Sequence, residues 1–180
     1  MKTLLWIPAA VVFALCSAGI CCACEQSLET MDQKALLSRA RLLTQEELEI
    51  SRRAMQQAAS EEVRAFAKRA AARSQDLDKK LTELGKTVGV EEPEPGTKPL
   101  FERLNAIEKV RGEAFDPDYL KLMLDFHREH VVIYERLLKI ATTELLRDFA
   151  RDSLAEERTH LKTVQLLAAP LIPEVEPVEK

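Results

Sequence analysis

Residues 116–169 read DPDYLKLMLDFHREHVVIYERLLKIATTELLRDFARDSLAEERTHLKTVQLLAA, and their apolar positions recur with a helical period throughout. Asp116 followed by Pro117 is a helix start, because a carboxylate accepts the free N–H groups of a first turn and a proline there forfeits no hydrogen bond. Tyr119, Met123, Phe126, Val131, Tyr134, Leu137, Leu138 and Ala141 then fall on one side. Thr142 or Thr143 caps a further helix carrying Leu146, Phe149, Ala150, Leu161, Val164 and Leu167, which Pro170 stops. So short a break between two long amphipathic helices folds them into a tight antiparallel hairpin.

A second hairpin precedes this one. From about Gln26 to Ala59 the positions Leu36, Leu37, Ala40, Leu43, Leu48, Ala54, Met55 and Ala58 keep helical spacing. Ser60 with Glu61 and Glu62 starts the next helix, which runs through Val63, Phe66, Ala67, Ala70, Leu77, Leu81 and Leu84 to a stop at Gly85. Lys86 to Lys98 is a linker rich in Pro and Gly, Pro99 opens a short helix to Arg111, and Gly112 closes it. Two hairpins joined by so long a connection predict an all-α, antiparallel four-helix bundle of ferritin-like topology, with a crossover containing a short helix between the second and third long helices. The bundle is expected over 24–169 and a tail over 170–180.

Composition agrees. The chain has 180 residues with only 5 Gly and 8 Pro against 46% apolar and 31% charged residues, which excludes collagen-like, low-complexity and mucin-like classes and disfavours full disorder. A net charge of -4, mixed along the sequence, leaves no electrostatic footprint for nucleic acid, so none is expected as a partner.

The first 23 residues have the three-part layout of an export signal: a lysine within Met1–Thr3, an apolar run from Leu4 to Leu15, and a small-residue segment from Cys16 to Ala23. Cys16, Cys21, Cys22 and Cys24 all lie in or beside it, so the body has no disulfide framework and must be held by packing. Ala23 followed by Cys24 has the layout of a bacterial lipoprotein site, in which Cys24 carries a lipid that anchors the protein to a membrane. Cys21 stands where such sites usually have Leu, so ordinary cleavage after Ala18 or Ala23 stays open, as does an uncleaved anchor over Leu4 to Ala23. Each option places the domain outside the cytoplasm, in the periplasm or at the outer membrane.

Candidate chemistry lies on the inner faces. At about 100° per residue, Glu47 projects into the apolar stripe of the first helix, and His127 and His130 share the stripe of the third. Glu157 and His160 form the i, i+3 pair by which ferritin-like proteins place a carboxylate and an imidazole on one ion. His127 lies as far before the turn at Thr142 as Glu157 lies after it, so these groups are expected at one level, with Arg73 and Ser74 facing them from the second helix. Two explanations compete. Arg73 pairs with Glu47 in the place of a metal, because buried charges must be paired, and the histidines are hydrogen-bonded interior residues. Alternatively Glu47, His127, Glu157 and His160, joined by His130, hold a single divalent ion such as iron, manganese or zinc. A di-iron centre is disfavoured, since the second helix has no Glu-x-x-His. The body contains no nucleophile motif, phosphate loop or Cys-x-x-Cys pair, so catalysis is not indicated. The function classes are therefore a non-catalytic envelope bundle with no cofactor, and a metal-binding or redox, stress-related bundle.

Three groups of anchors point the same way: Glu47-Leu48 with Ser51, Ala54, Ala58, Ser60, Val63 and Phe66-Ala67; Phe115-Asp116 with Tyr119 and His127; and Leu154 with His160-Leu161. Their spacing, from about Glu46 to Leu167, resembles a family of exported bacterial ferritin-like bundles of unknown function, often described as predicted outer membrane proteins. The chain departs from that pattern where Arg73-Ser74 replaces an Asp-His pair, where Phe126 replaces an Asp, and where Ala155 replaces a Pro. The resemblance implies the fold and an exported address, and it implies no reaction.

Overall fold

Asp32 opens the first long helix by accepting the Ala35 N–H at 2.8 Å, so α1 is Gln33–Gln57 and starts later than the residue near Gln26 that periodicity suggested. The computed structural model describes residues 28–90 and 98–175; the leader, Cys24 and the last five residues of the tail lie outside the described residues. Four more helices follow: α2 Glu61–Val88, α3 Lys98–Glu108, α4 Phe115–Ile140 and α5 Glu144–Ala168, with a 3-10 turn at Gly112–Ala114 before α4. No strand occurs among the described residues.

Helix ends follow local chemistry with two corrections. Ser60 caps α2 through Val63 N–H and Thr143, not Thr142, caps α5 through Leu146 N–H. Gly85 does not stop α2. The helix continues to Val88 and turns at Gly89, whose φ of 70° suits a residue without Cβ, while Val90 N–H folds back to the Gly85 carbonyl at 2.9 Å. Nor does Asp116 cap its own helix. It lies buried in the first turn of α4 and its two oxygens accept Ala59 N–H and Ser60 N–H, each at 2.8 Å. The α1–α2 turn carries free N–H groups, and the fold brings this carboxylate beside them. Asp116→Ala should therefore cost about 2–3 kcal/mol in a urea denaturation series, with Asp116→Asn costing less because it keeps one acceptor. Equal stability of all three proteins would mean that the turn is satisfied by solvent.

These contacts set the topology. The start of α4 lies at the α1–α2 turn, and the α4–α5 turn lies at the start of α1, where Thr142 donates to Gln33 at 3.2 Å through its N–H. Hence α1 and α4 run antiparallel, and the connection from α2 to α4 must return along the whole bundle. Its helix α3 does so against α1, with Arg103 bonding Glu46 at 2.9 Å and Arg53 bonding Glu108 at 3.1 Å. The Arg103 guanidinium also lies 5.0 Å from the centre of the Phe126 ring. This is the ferritin-like crossover.

Because α3 covers a further face of α1, the buried set there is wider than a single stripe. Thr44, Glu46, Ile50 and Ser51 are buried, whereas Leu48 is half-buried and Met55, expected in the core, is exposed. Burial pushes the Glu46 carboxyl up from its ordinary value even with Arg103 and Arg39 nearby. Phe66, Tyr119, Phe126, Tyr134, Leu137 and Leu146 are buried in one continuous core, and Phe149 packs on it half-buried.

Candidate functional site

At mid-bundle, α1 contributes Ala40, Thr44 and Glu47, α2 contributes Arg73, α4 contributes His127, His130 and Tyr134, and α5 contributes Glu157. Glu47, His130 and Glu157 have no exposed surface, His127 has 1%, and the Arg73 side chain has 14%. Arg73 lies between the two carboxylates, with one nitrogen 3.4 Å from Glu47 Oε1 and another bonded to Glu157 Oε1. His127 Nδ1 is 2.8 Å from Glu157 Oε2. His130 Nε2 lies 3.3 Å from both Thr44 Oγ1 and the Ala40 carbonyl. Its ring stacks on Tyr134 at 5.8 Å, and Tyr134 meets Phe149 edge-on.

Four of the five expected site residues thus meet, and the fifth is displaced. His160 is half-buried, stacks on His127 at 5.7 Å, and forms part of the wall of a cavity of about 120 Å³ that Glu47, Arg73, His127 and Thr163 also line. Ser74 was expected to face the layer. It is buried, but its hydroxyl donates to the Ala70 carbonyl of its own helix at 2.9 Å and takes no part in the layer. Thr44 was not singled out from the sequence, although its place three residues before Glu47 puts it on the same face. Its hydroxyl donates to Ala40 O at 2.8 Å, which leaves its oxygen to accept from His130.

Burial by itself would neutralise Glu157, but His130, the hydrogen bond from His127 and the Arg73 charge outweigh it and hold the carboxyl down to about 2. Desolvation, with Arg73 and His127 adding to it, pushes His160 down to about 4. Arg73 is raised, because Glu157 and Glu47 overcome its own burial. Both shifted acids make folding sensitive to low pH. An unfolded His160 takes up a proton as pH falls below about 6.5 while the folded one waits until about 4, and an unfolded Glu157 does so below about 4.5 while the folded one waits until about 2. Stability is complete above the higher of these values and falls as pH drops. Denaturation midpoints should decrease on going from neutral pH to about pH 5, and His160→Gln should flatten that first decrease while leaving the lower one. A midpoint unchanged between neutral pH and about 5 in the wild type would contradict the His160 environment.

The donor set limits what the layer can hold. A ferritin-like two-metal centre needs a second Glu-x-x-His on the second helix; here Arg73 fills that place with a positive charge, so the residues do not fit two ions. Glu47, His127 and His130 do offer one ligand atom each, all within 4.8 Å of one another. Glu47 Oε2, His127 Nε2 and His130 Nδ1 have no hydrogen-bond partner. That nitrogen and oxygen set is compatible with one divalent transition metal.

No helix of the described residues is long and apolar enough to cross a membrane. No functionally curated protein matches the chain. Among solved structures, a DUF305 protein from Streptomyces coelicolor is similar, with a TM-score of 0.65 and 16% identity over 77% of this chain and 91% of that one. At that identity the likeness concerns the fold, and it agrees with an all-α bundle. The match to DUF4142, a domain of unknown function, runs over residues 23–167, which takes in α1 through almost all of α5 and every residue of the interior layer, and the chain belongs to that family.

Proposed function

We propose that the protein is an exported helical module of the cell envelope that acts through contacts and not through catalysis, and whose interior is a ferritin-like polar layer closed by a guanidinium. The observation that carries this reading is Arg73 between the buried carboxylates of Glu47 and Glu157. It supplies the countercharge that a metal supplies in ferritin-like metal bundles. Export is supported by the leader layout over 1–23 and by the DUF305 neighbour, which is described as a presumptive secreted protein. Cys24 is the candidate lipid attachment, which would hold the bundle to a membrane in the periplasm or at the outer membrane.

Cell fractionation and the intact mass of the processed protein test the address. A first residue at Cys24 bearing a lipid, with membrane association abolished by Cys24→Ser, is the expected result. A mature N-terminus at Gly19 would dismiss the lipid, and an unprocessed chain in the cytoplasm would dismiss export altogether. A metal-binding bundle is the second reading, favoured by the unpartnered atoms of Glu47, His127 and His130.

A further inference from the structure

We propose that Glu47, His127 and His130 form a three-ligand site for one divalent transition-metal ion of zinc-like chemistry, held beside Arg73 and not in its place. The hydrogen-bond partners decide the tautomers. The Ala40 carbonyl can only accept, and Thr44 has already given its hydroxyl hydrogen to that carbonyl, so the His130 Nε2 facing both must carry the ring hydrogen. His127 Nδ1 faces a carboxylate oxygen and must likewise donate. The other nitrogen of each ring, His127 Nε2 and His130 Nδ1, is buried without a partner, as is Glu47 Oε2, and a ring carrying a single hydrogen has a lone pair free there. The carboxylate oxygen next to His130 Nδ1, Glu157 Oε2, is 4.0 Å away and already accepts from His127. Three buried atoms able to accept, beside an Arg73 Nε and a Tyr134 hydroxyl that also lack partners, are a costly arrangement for a protein alone, and a cation removes the cost at the acceptors.

Geometry and charge fit. Since one ligand atom from each of the three residues lies within 4.8 Å of the other two, some point is no more than about 2.8 Å from all three, within an ångström of a Zn–N distance of about 2.0–2.1 Å. Glu157 stands behind His127 as the carboxylate that orients a ligating imidazole, and Thr44 with Ala40 does the same for His130. Arg73 offsets Glu157, so the ion would face the carboxylate charge of Glu47 and one ring nitrogen from each histidine. The cavity that reaches Glu47 and His127 provides an entry path. Glu157 and His160 are not ligands here, because both oxygens of Glu157 are engaged and His160 lies outside the three-atom set. This proposal goes beyond the closed-layer reading but uses its Arg73 pairing.

The test is calorimetric titration of Zn²⁺ into the chelator-stripped, processed protein, together with ¹⁵N NMR of the imidazoles. One ion per chain is expected, with the His127 Nε2 and His130 Nδ1 resonances shifting on addition. Glu47→Gln and His130→Asn should weaken binding by more than about 100-fold, Thr44→Val by about 10-fold, and His160→Asn hardly at all. Absence of stoichiometric binding by the wild type, or a doubly protonated His130 in the stripped protein near neutral pH, would overturn the site. So would loss in His160→Asn with retention in His130→Asn, since the ion would then sit on the α5 pair. Binding gained only in Arg73→Ala would sink the site while leaving the guanidinium-closed reading intact, and wild-type binding with a full-strength Arg73→Ala fold would do the reverse.

Discussion

Replacing Arg73 by alanine is expected to lower the unfolding free energy by about 3–5 kcal/mol, because breaking a buried ion pair from one side leaves charge without a partner. Here two carboxylates are left. Glu157 would keep only the His127 hydrogen bond, and Glu47, whose other oxygen already lacks a partner, would keep none. Neither has exposed surface with which to reach water. Each must take up a proton or force the layer open, so the loss should be greatest at neutral pH and smaller in acid, where protonation relieves it. Urea denaturation at two pH values measures both parts, and Glu47→Gln in the Arg73→Ala background should recover part of the loss because it removes one stranded charge. A cost under about 1 kcal/mol, the range of surface pairs, would show that the guanidinium does not hold these helices together.

Phe66→Ala should cost a similar 3–5 kcal/mol, by packing instead of charge. The ring is 3% exposed, lies tilted against Tyr119 at 6.2 Å, and forms part of the cavity wall shared with Glu47 and Arg73. Truncation therefore removes buried apolar surface and also widens the path from solvent to the charged layer. Phe149, which helical spacing puts on the apolar stripe of α5, is half-buried and meets Tyr134 edge-on, so Phe149→Ala should lose less. Equal losses at the two positions, measured by thermal and chemical denaturation, would mean that Phe149 belongs to the core as fully as Phe66 does.

The long helices and their pairing were legible because the apolar period, the caps at Ser60 and Thr143 and the near absence of glycine all act within a few residues of one another. The crossover was legible from length alone, as a connection from Lys86 to Asp116 is too long for a simple turn. Gly85 was misread because glycine is equally suited to an end and to a close approach; its helical backbone and the return of Val90 over it became apparent only in three dimensions. Asp116 was misread for a related reason: a carboxylate near a helix start serves whichever free N–H groups are nearest, and those were on another hairpin.

The sequence by itself determined an all-helical, two-hairpin chain with an export-like leader and placed Glu47, His127, His130 and Glu157 on inward faces, because helical periodicity reports direction and relative depth. It also narrowed the cation to Arg73 by the need to pair a buried carboxylate. Only the tertiary structure decided that this guanidinium reaches both carboxylates, that His160 stacks outside the layer, and that Thr44 and the Ala40 carbonyl orient His130. Those outcomes depend on helix rotation and side-chain reach of an ångström or two, and hydrogen bonds weaken steeply over such distances. A periodic pattern can bring residues to one layer, but the partner that each atom takes is set by packing between helices far apart in sequence.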